Sequence, residues 1–239
     1  MTDAREWSGV LFDLDGTLAD TVELILMSYR HTMEVHLGEA PPDARWLETI
    51  GMPLPVQLAD FARSEDERLE MRDTYVRFQR EVHDDLVRAF PGASRALDRL
   101  RGRDVRLGVV TSKASGIAQR TMEVCGLWDR VDLVVGGDQV SQGKPDPEPV
   151  RAALDGLGLT RPEEVVFVGD SPFDLRAGRA AGTRTAAVAW GPHEREVLDA
   201  ERPDYFVRDF EELLSLTPAS VSSPTSRSRS ARPAPDPSP

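Results

Sequence analysis

The chain has 239 residues, 40% of them hydrophobic and 29% charged, which is enough for one sizeable core with an insertion. Its formal net charge is -12; the tail from Thr217 carries a small positive excess, so the rest is about -14. A body this acidic repels a phosphate backbone and argues against nucleic-acid binding, although a metal can invert the field at one local site.

Cys125 is the only cysteine, so no disulfide can form within the chain. No basic stretch followed by an apolar one opens the sequence, and no run of 18 apolar residues exists. The expectation is a cytoplasmic protein without a membrane partner. No feature assigns an oligomeric state. Only Lys113 and Lys144 are lysines, against 27 arginines, so these two positions stand out as places where arginine is not used.

Residues 9–13 read G-V-L-F-D, a short apolar run ending in a carboxylate, which is the pattern of a buried parallel strand. Similar runs recur at 105–111, 131–135, 165–170 and 185–190, with a short one at 205–207. Helical patterns lie between most of them, at 93–101, 115–125, 147–157 and 174–181. Strands alternating with helices predict an α/β fold: a doubly wound, Rossmann-like parallel sheet.

About 90 residues separate the first strand from the second, where a crossover needs only about a dozen. Residues 20–88 are therefore read as an inserted α-helical cap, with hinges near 19–21 and 89–92. Its helices are predicted at 21–37, 43–49, 54–62 and 64–87. Ser64 and Glu67 have the spacing of a capping box on the last. The core is then 1–19 with 89–215, and the Ser/Pro/Arg-rich tail 216–239 is expected to be disordered.

Asp13, Thr111 and Asp170 end three separate apolar strands. Ligands of open parallel sheets bind beyond the carboxyl ends of strands, so these three side chains converge. A carboxylate such as Asp13 can attack phosphorus. Asp15, two residues on, can act as acid for the leaving group and then as base for water. Gly16 permits a tight turn beside a phosphate. Two anions facing an anionic substrate call for a divalent cation, and oxygen ligands favour Mg2+. Lys144, between Gly143 and Pro145, offers a compact ammonium in a rigid turn. Lys113 reads as a solvated side chain at the start of a helix.

D-L-D-G-T, V-V-T-S, the lysine of G-K-P-D-P and V-G-D-S-P-F-D together resemble the four ordered motifs of the haloacid dehalogenase superfamily. That resemblance covers about residues 8–214. It implies Asp13 as nucleophile and metal ligand, and Asp15 as acid/base whose backbone carbonyl reaches the metal. It implies Thr111 and the backbone N–H of Ser112 as phosphoryl donors. It also implies that Lys144 neutralises charge, that Asp170 is the remaining metal carboxylate, and that Asp174 holds the lysine or a water at the metal.

An acid at position 15 implies hydrolysis rather than dehalogenation. The absence of lysine from 20–88 excludes a Schiff base in the cap. The segments E-L-I-L-M-S-Y-R-H-T-M-E, H-D-D-L-V and T-A-A-V-A-W-G-P-H-E most resemble the inorganic pyrophosphatase branch. Pyrophosphate is thus the expected small phosphate substrate, with phosphoglycolate or another phosphate monoester as the alternative. For a second phosphate, Arg30, His31 and His83 are candidate donors, against a plainer reading as surface or helix-packing residues. Glu23 either lines the entrance or favours a helix N-terminus.

Overall fold

The computed structural model describes residues 7–216. In chain order the elements are β1 Gly9–Phe12, β2 Ala19–Asp20, α1 Val22–Leu37, α2 Asp43–Leu47, α3 Leu54–Ala59 and α4 Glu65–Leu86. There follow β3 Arg88–Ala89, α5 Ala93–Arg101, β4 Arg106–Val110, α6 Ser115–Val124 and β5 Leu133–Val135. The chain continues through α7 Glu148–Leu157, β6 Val165–Gly169, α8 Pro172–Ala181 and β7 Arg184–Val188. It closes with α9 Arg195–Ala200, β8 Tyr205–Val207 and α10 Phe210–Leu216.

Six strands form one parallel sheet in the order β5-β4-β1-β6-β7-β8. The central strands β1 and β6 are buried along their whole length, as strands covered on both faces must be. One face carries α5, α6 and α10, packed through Leu97, Leu100, Met122 and Leu213. The other carries α7 and α8, packed through Val150, Leu154, Ala177 and Ala181. This is the doubly wound, Rossmann-like fold.

β1 lies between β4 and β6, with Phe12 opposite Val109 on one side and Val168 on the other. Asp13 therefore stands level with Val110 and Gly169, and Thr111 and Asp170 follow one residue further. The register places all three polar residues side by side at one edge.

Helices α1 to α4 pack around an apolar cluster of their own. Tyr29 stacks on Trp46 at 4.7 Å, and Trp46 stacks on Tyr75 at 5.9 Å. The chain enters and leaves this helical insertion through β2 and β3, which pair antiparallel with Ala19 opposite Ala89. The ribbon falls where hinges are predicted, and two residues per strand are too few to leave a pattern in the sequence.

Ser64 caps α4 by accepting from the Glu67 N–H at 3.1 Å. The return half of the predicted capping box does not form: Glu67 instead accepts from the N–H and guanidinium of Arg63. A charged partner one residue earlier outcompetes a neutral amide. Helices α9 and α10 are additions to the predicted set; α9 buries only Leu198, too little to show a period. Apart from Leu216, the predicted tail lies outside the described residues.

Candidate active site

After β1 the backbone folds back at once. The Leu14 carbonyl accepts from the N–H groups of Leu18 and Ala19 at 3.0 and 2.9 Å, and Gly16 N–H donates to Ala19. Gly16 has φ +81, and a Cβ there would lie 2.5 Å from Asp170 Oδ2. Glycine is required twice over, by the left-handed backbone and by the carboxylate against it. Thr17 donates to Asp170 Oδ1 at 2.8 Å, a contact between the first and last motifs that residue types alone do not announce.

Lys144 is buried at the centre. Its Nζ donates to Asp13 Oδ1 at 2.8 Å and to Asp174 Oδ1 at 2.6 Å. Asp174 sits in the first turn of α8, where Pro172 fits the first helical position. Its Oδ2 accepts from the N–H and hydroxyl of Ser171, at 3.1 and 2.6 Å, in a reciprocal capping box. Both Asp174 oxygens are therefore engaged.

The electrostatics follow from burial. Asp13 is pushed up to about 7, chiefly by burial; Lys144 opposes this, and Asp174 and Asp15 add to it. Asp170 is raised well above the usual carboxylate range by burial, then by Asp13 and Asp174. Burial pulls the Lys144 ammonium down, but Asp13 and Asp174 outweigh it and hold it above its ordinary value.

Three buried carboxylates thus share one ammonium. Asp13, Asp170 and Asp174 each place an oxygen within 4.8 Å of the others. This excess of negative, all-oxygen donors fits a hard divalent cation. With Asp174 committed to Lys144 and Ser171, Asp13 and Asp170 are the two carboxylates open to it.

Thr111 is buried, and its Oγ1 accepts from the Lys113 N–H at 3.2 Å, which leaves the hydroxyl proton to donate. Ser112 uses its hydroxyl on the Gly51 carbonyl of the insertion, at 2.6 Å. Lys113 corrects the sequence reading. It is not solvated: its side chain is 6% exposed, and Nζ donates to Asp15 Oδ1 at 2.6 Å. Asp15 Oδ1 also accepts from Thr21 at 2.7 Å.

A cavity of about 420 Å³ opens over Asp13, Asp15, Thr111, Lys113 and Lys144. The insertion covers it, and for the candidate donors Arg30, His31 and His83 the plainer reading holds. Arg30 is paired with Glu23 and Asp43. His31 stacks on Phe78 at 4.3 Å, and His83 turns to Thr121 of α6. None of the three lines this cavity, and Glu23 serves the first turn of α1. The polar groups that the insertion contributes are Gln57, Arg72, Tyr75 and Gln79. Three of these recur on one face of α4, and Gln79 is a buried polar residue, a signal that periodicity could have revealed.

Buried carboxylates and a buried lysine beyond the carboxyl ends of parallel strands, under a helical insertion, are the arrangement of a phosphatase of the haloacid dehalogenase type. Residues 10–188 match the haloacid dehalogenase-like hydrolase family, and the chain belongs to it. It is 40% identical over 218 residues to pyrophosphatase PpaX of Bacillus velezensis, covering 91% of this chain and 99% of that one. It is 37% identical over 210 residues to pyrophosphatase PpaX of Bacillus pumilus, covering 88% and 96%. Among solved structures, one from Haemophilus somnus, described as a predicted phosphoglycolate phosphatase, superposes with a TM-score of 0.80 at 23% identity. That match covers 89% of this chain and 98% of the other, and shows the shared fold. No helix among the described residues is long and apolar enough to cross a membrane.

Proposed function

We propose that this enzyme hydrolyses inorganic pyrophosphate with Mg2+, through a phosphoryl group carried on Asp13. The observation that carries the chemistry is the Lys144 ammonium bridging Asp13 and Asp174 beside Asp170. The support for pyrophosphate is 40% identity to a pyrophosphatase across nearly the whole of both chains.

Asp13, Asp170 and the backbone carbonyl of Asp15 would hold the cation, which supplies charge neutralisation at the phosphoryl oxygens when bound. An Asp13 oxygen attacks phosphorus as the bond to the leaving oxygen breaks, and the Asp15 carboxyl gives its proton to that oxygen. Asp15, now a carboxylate, takes a proton from water. The water oxygen attacks phosphorus, releasing phosphate and regenerating Asp13. The Thr111 hydroxyl and the Ser112 N–H orient the phosphoryl oxygens, and Lys144 balances their charge. Asp174 holds Lys144 in place. The helical insertion acts as a cap over this chemistry, turning on the β2–β3 ribbon.

Arg72 and Lys113 line the cavity and suit the second phosphate. A second reading, an organic monoester such as phosphoglycolate, is favoured by the apolar side chains in the same wall, among them Ile25, Ile50, Leu54 and Ile117. Comparing kcat/KM for pyrophosphate, phosphoglycolate and sugar phosphates with Mg2+ separates the two. Pyrophosphate should lead by about tenfold or more, a margin that differential contacts can supply. Preference for an organic monoester by orders of magnitude rejects the pyrophosphate reading.

A further inference from the structure

Asp15 is not held locally alone. Lys113, which donates to it, also reaches Thr121 Oγ1 on α6 at 3.4 Å. Beyond Thr121 stands His83 of α4, its Nε2 2.9 Å from the same hydroxyl. His83 Nδ1 lies 2.8 Å from Asp84 Oδ1, and Asp84 is also paired with Arg120. One run of polar contacts therefore leads from Asp15 across a helix of the core into the last helix of the insertion.

The proton inventory gives this run a direction. Asp84 is held below the usual carboxylate range by Arg120 and then His83, so it only accepts. His83 Nδ1 then carries the hydrogen, and in the neutral imidazole Nε2 accepts from the Thr121 hydroxyl. Thr121 Oγ1 is left to accept from Lys113, and Lys113 donates to Asp15. Thr121 and His83 each accept from one neighbour and donate to the next, so their bonds polarise one another, while Lys113 only donates, to Thr121 on one side and to Asp15 on the other. The other acceptor within reach of the Thr121 hydroxyl is the Ile117 carbonyl at 2.9 Å, the ordinary back-bond of a helical threonine.

Burial makes the arrangement costly unless it is satisfied. Thr121 is 0% and His83 2% exposed, at a helix contact where two apolar side chains would otherwise pack. Lys113 has a flexible four-carbon stem and lines the substrate cavity, whose wall also includes Asp138. Without Thr121 its ammonium has other places to go.

We infer that Thr121 and His83 are positioning residues: they fix the Lys113 ammonium against Asp15 and so orient the carboxyl that gives and takes the proton. This rests on the reading of Asp15 as acid/base. His83 comes from the insertion and Thr121 from the core, so the geometry of Asp15 is tied to how the two are docked.

Leaving-group dependence tests this. p-Nitrophenolate departs without a proton, whereas the alkoxide released from phosphoglycolate needs one. Thr121→Val keeps the shape and removes the hydroxyl. Its kcat/KM should fall about tenfold or more for phosphoglycolate and less than about threefold for p-nitrophenyl phosphate, and Thr121→Ser should restore it. Equal losses on both substrates, or no loss on either, in protein that melts like the parent, overturn the inference. His83→Asn alters the other end of the run, is read in the same way, and decides the matter if Thr121→Val does not fold. Asp15→Asn runs in parallel. If its loss is selective for phosphoglycolate while the Thr121 and His83 variants are silent, only the positioning role fails. If its loss is uniform, the acid/base reading fails and the inference falls with it.

Discussion

A Cβ on Gly16 would stand 2.5 Å from Asp170 Oδ2, so the turn after β1 and the end of β6 are fitted to each other with no room for one methyl group. Gly16→Ala must either move Asp170 or leave φ +81. The expected cost is about 1–3 kcal/mol, the range for strain at such a backbone position. Thermal melting should fall by several degrees. Phosphate release should fall further than the fraction folded accounts for, because the Thr17–Asp170 contact lies on the displaced side.

Among the described residues, Lys144 is the one cation bonded within the buried carboxylates. Lys144→Met leaves Asp13, Asp170 and Asp174 facing one another. Breaking a buried pair in this way costs about 3–5 kcal/mol when the remaining carboxylates are ionised. The penalty should shrink as pH falls and they take up protons. Melting curves of parent and variant near pH 8 and near pH 5 should show the gap narrowing at the lower value.

The same carboxylates set the pH dependence of the metal-free protein. Asp13 is raised to about 7 in the fold from an ordinary value of 3.8, and Asp170 is raised too. Between those two values the folded protein binds more protons than the unfolded chain, so stability falls as pH rises. Magnesium held by Asp13 and Asp170, as proposed, would compete with those protons, so its stabilisation should grow with pH. In chelator, the melting temperature should decline from pH 5 to pH 8, and the upward shift on adding Mg2+ should be larger at pH 8.

Arg72 gives the pyrophosphate reading its own test. It lines the cavity from α4 and is half-exposed beside Asp73. Arg72→Ala should lower kcat/KM for pyrophosphate by about tenfold or more, the scale of one charge-assisted contact. p-Nitrophenyl phosphate, which carries no second phosphate, should be affected less. Equal effects on the two would remove Arg72 from recognition of the leaving group.

The sheet was legible because each buried strand is a short apolar run with breakers on both sides, and because Asp13, Thr111 and Asp170 close such runs. The lateral order of strands then brings those ends together, which residue patterns imply only through the rule for parallel sheets. Lys113 was misread for a physical reason. Its neighbours on the chain begin α6 and suggest solvent, while its partner Asp15 is 98 residues away. Both lysines of this arginine-rich chain stand in the site, a compositional clue that pointed to Lys113 and was outweighed by local pattern.

The insertion was the least legible part. Charge suggested Arg30, His31 and His83, yet Asp43, Phe78 and Thr121 engage them. Which face of α4 meets the cavity depends on the rotation of that helix against α1. The stacked Tyr29, Trp46 and Tyr75 fix that rotation from three different helices. Periodicity groups Arg72, Tyr75 and Gln79 on one face of α4, but only that rotation turns the face toward the cavity.

In the proposed mechanism Asp13 carries the phosphoryl group. Turnover of Asp13→Asn with Mg2+ tests it most directly, against the substrate on which the parent is fastest. An amide cannot supply the attacking oxygen, so turnover should fall by about a thousandfold or more, as when a nucleophile is removed. Turnover within about tenfold of the parent, a loss too small for the nucleophile itself, would exclude Asp13 from that role.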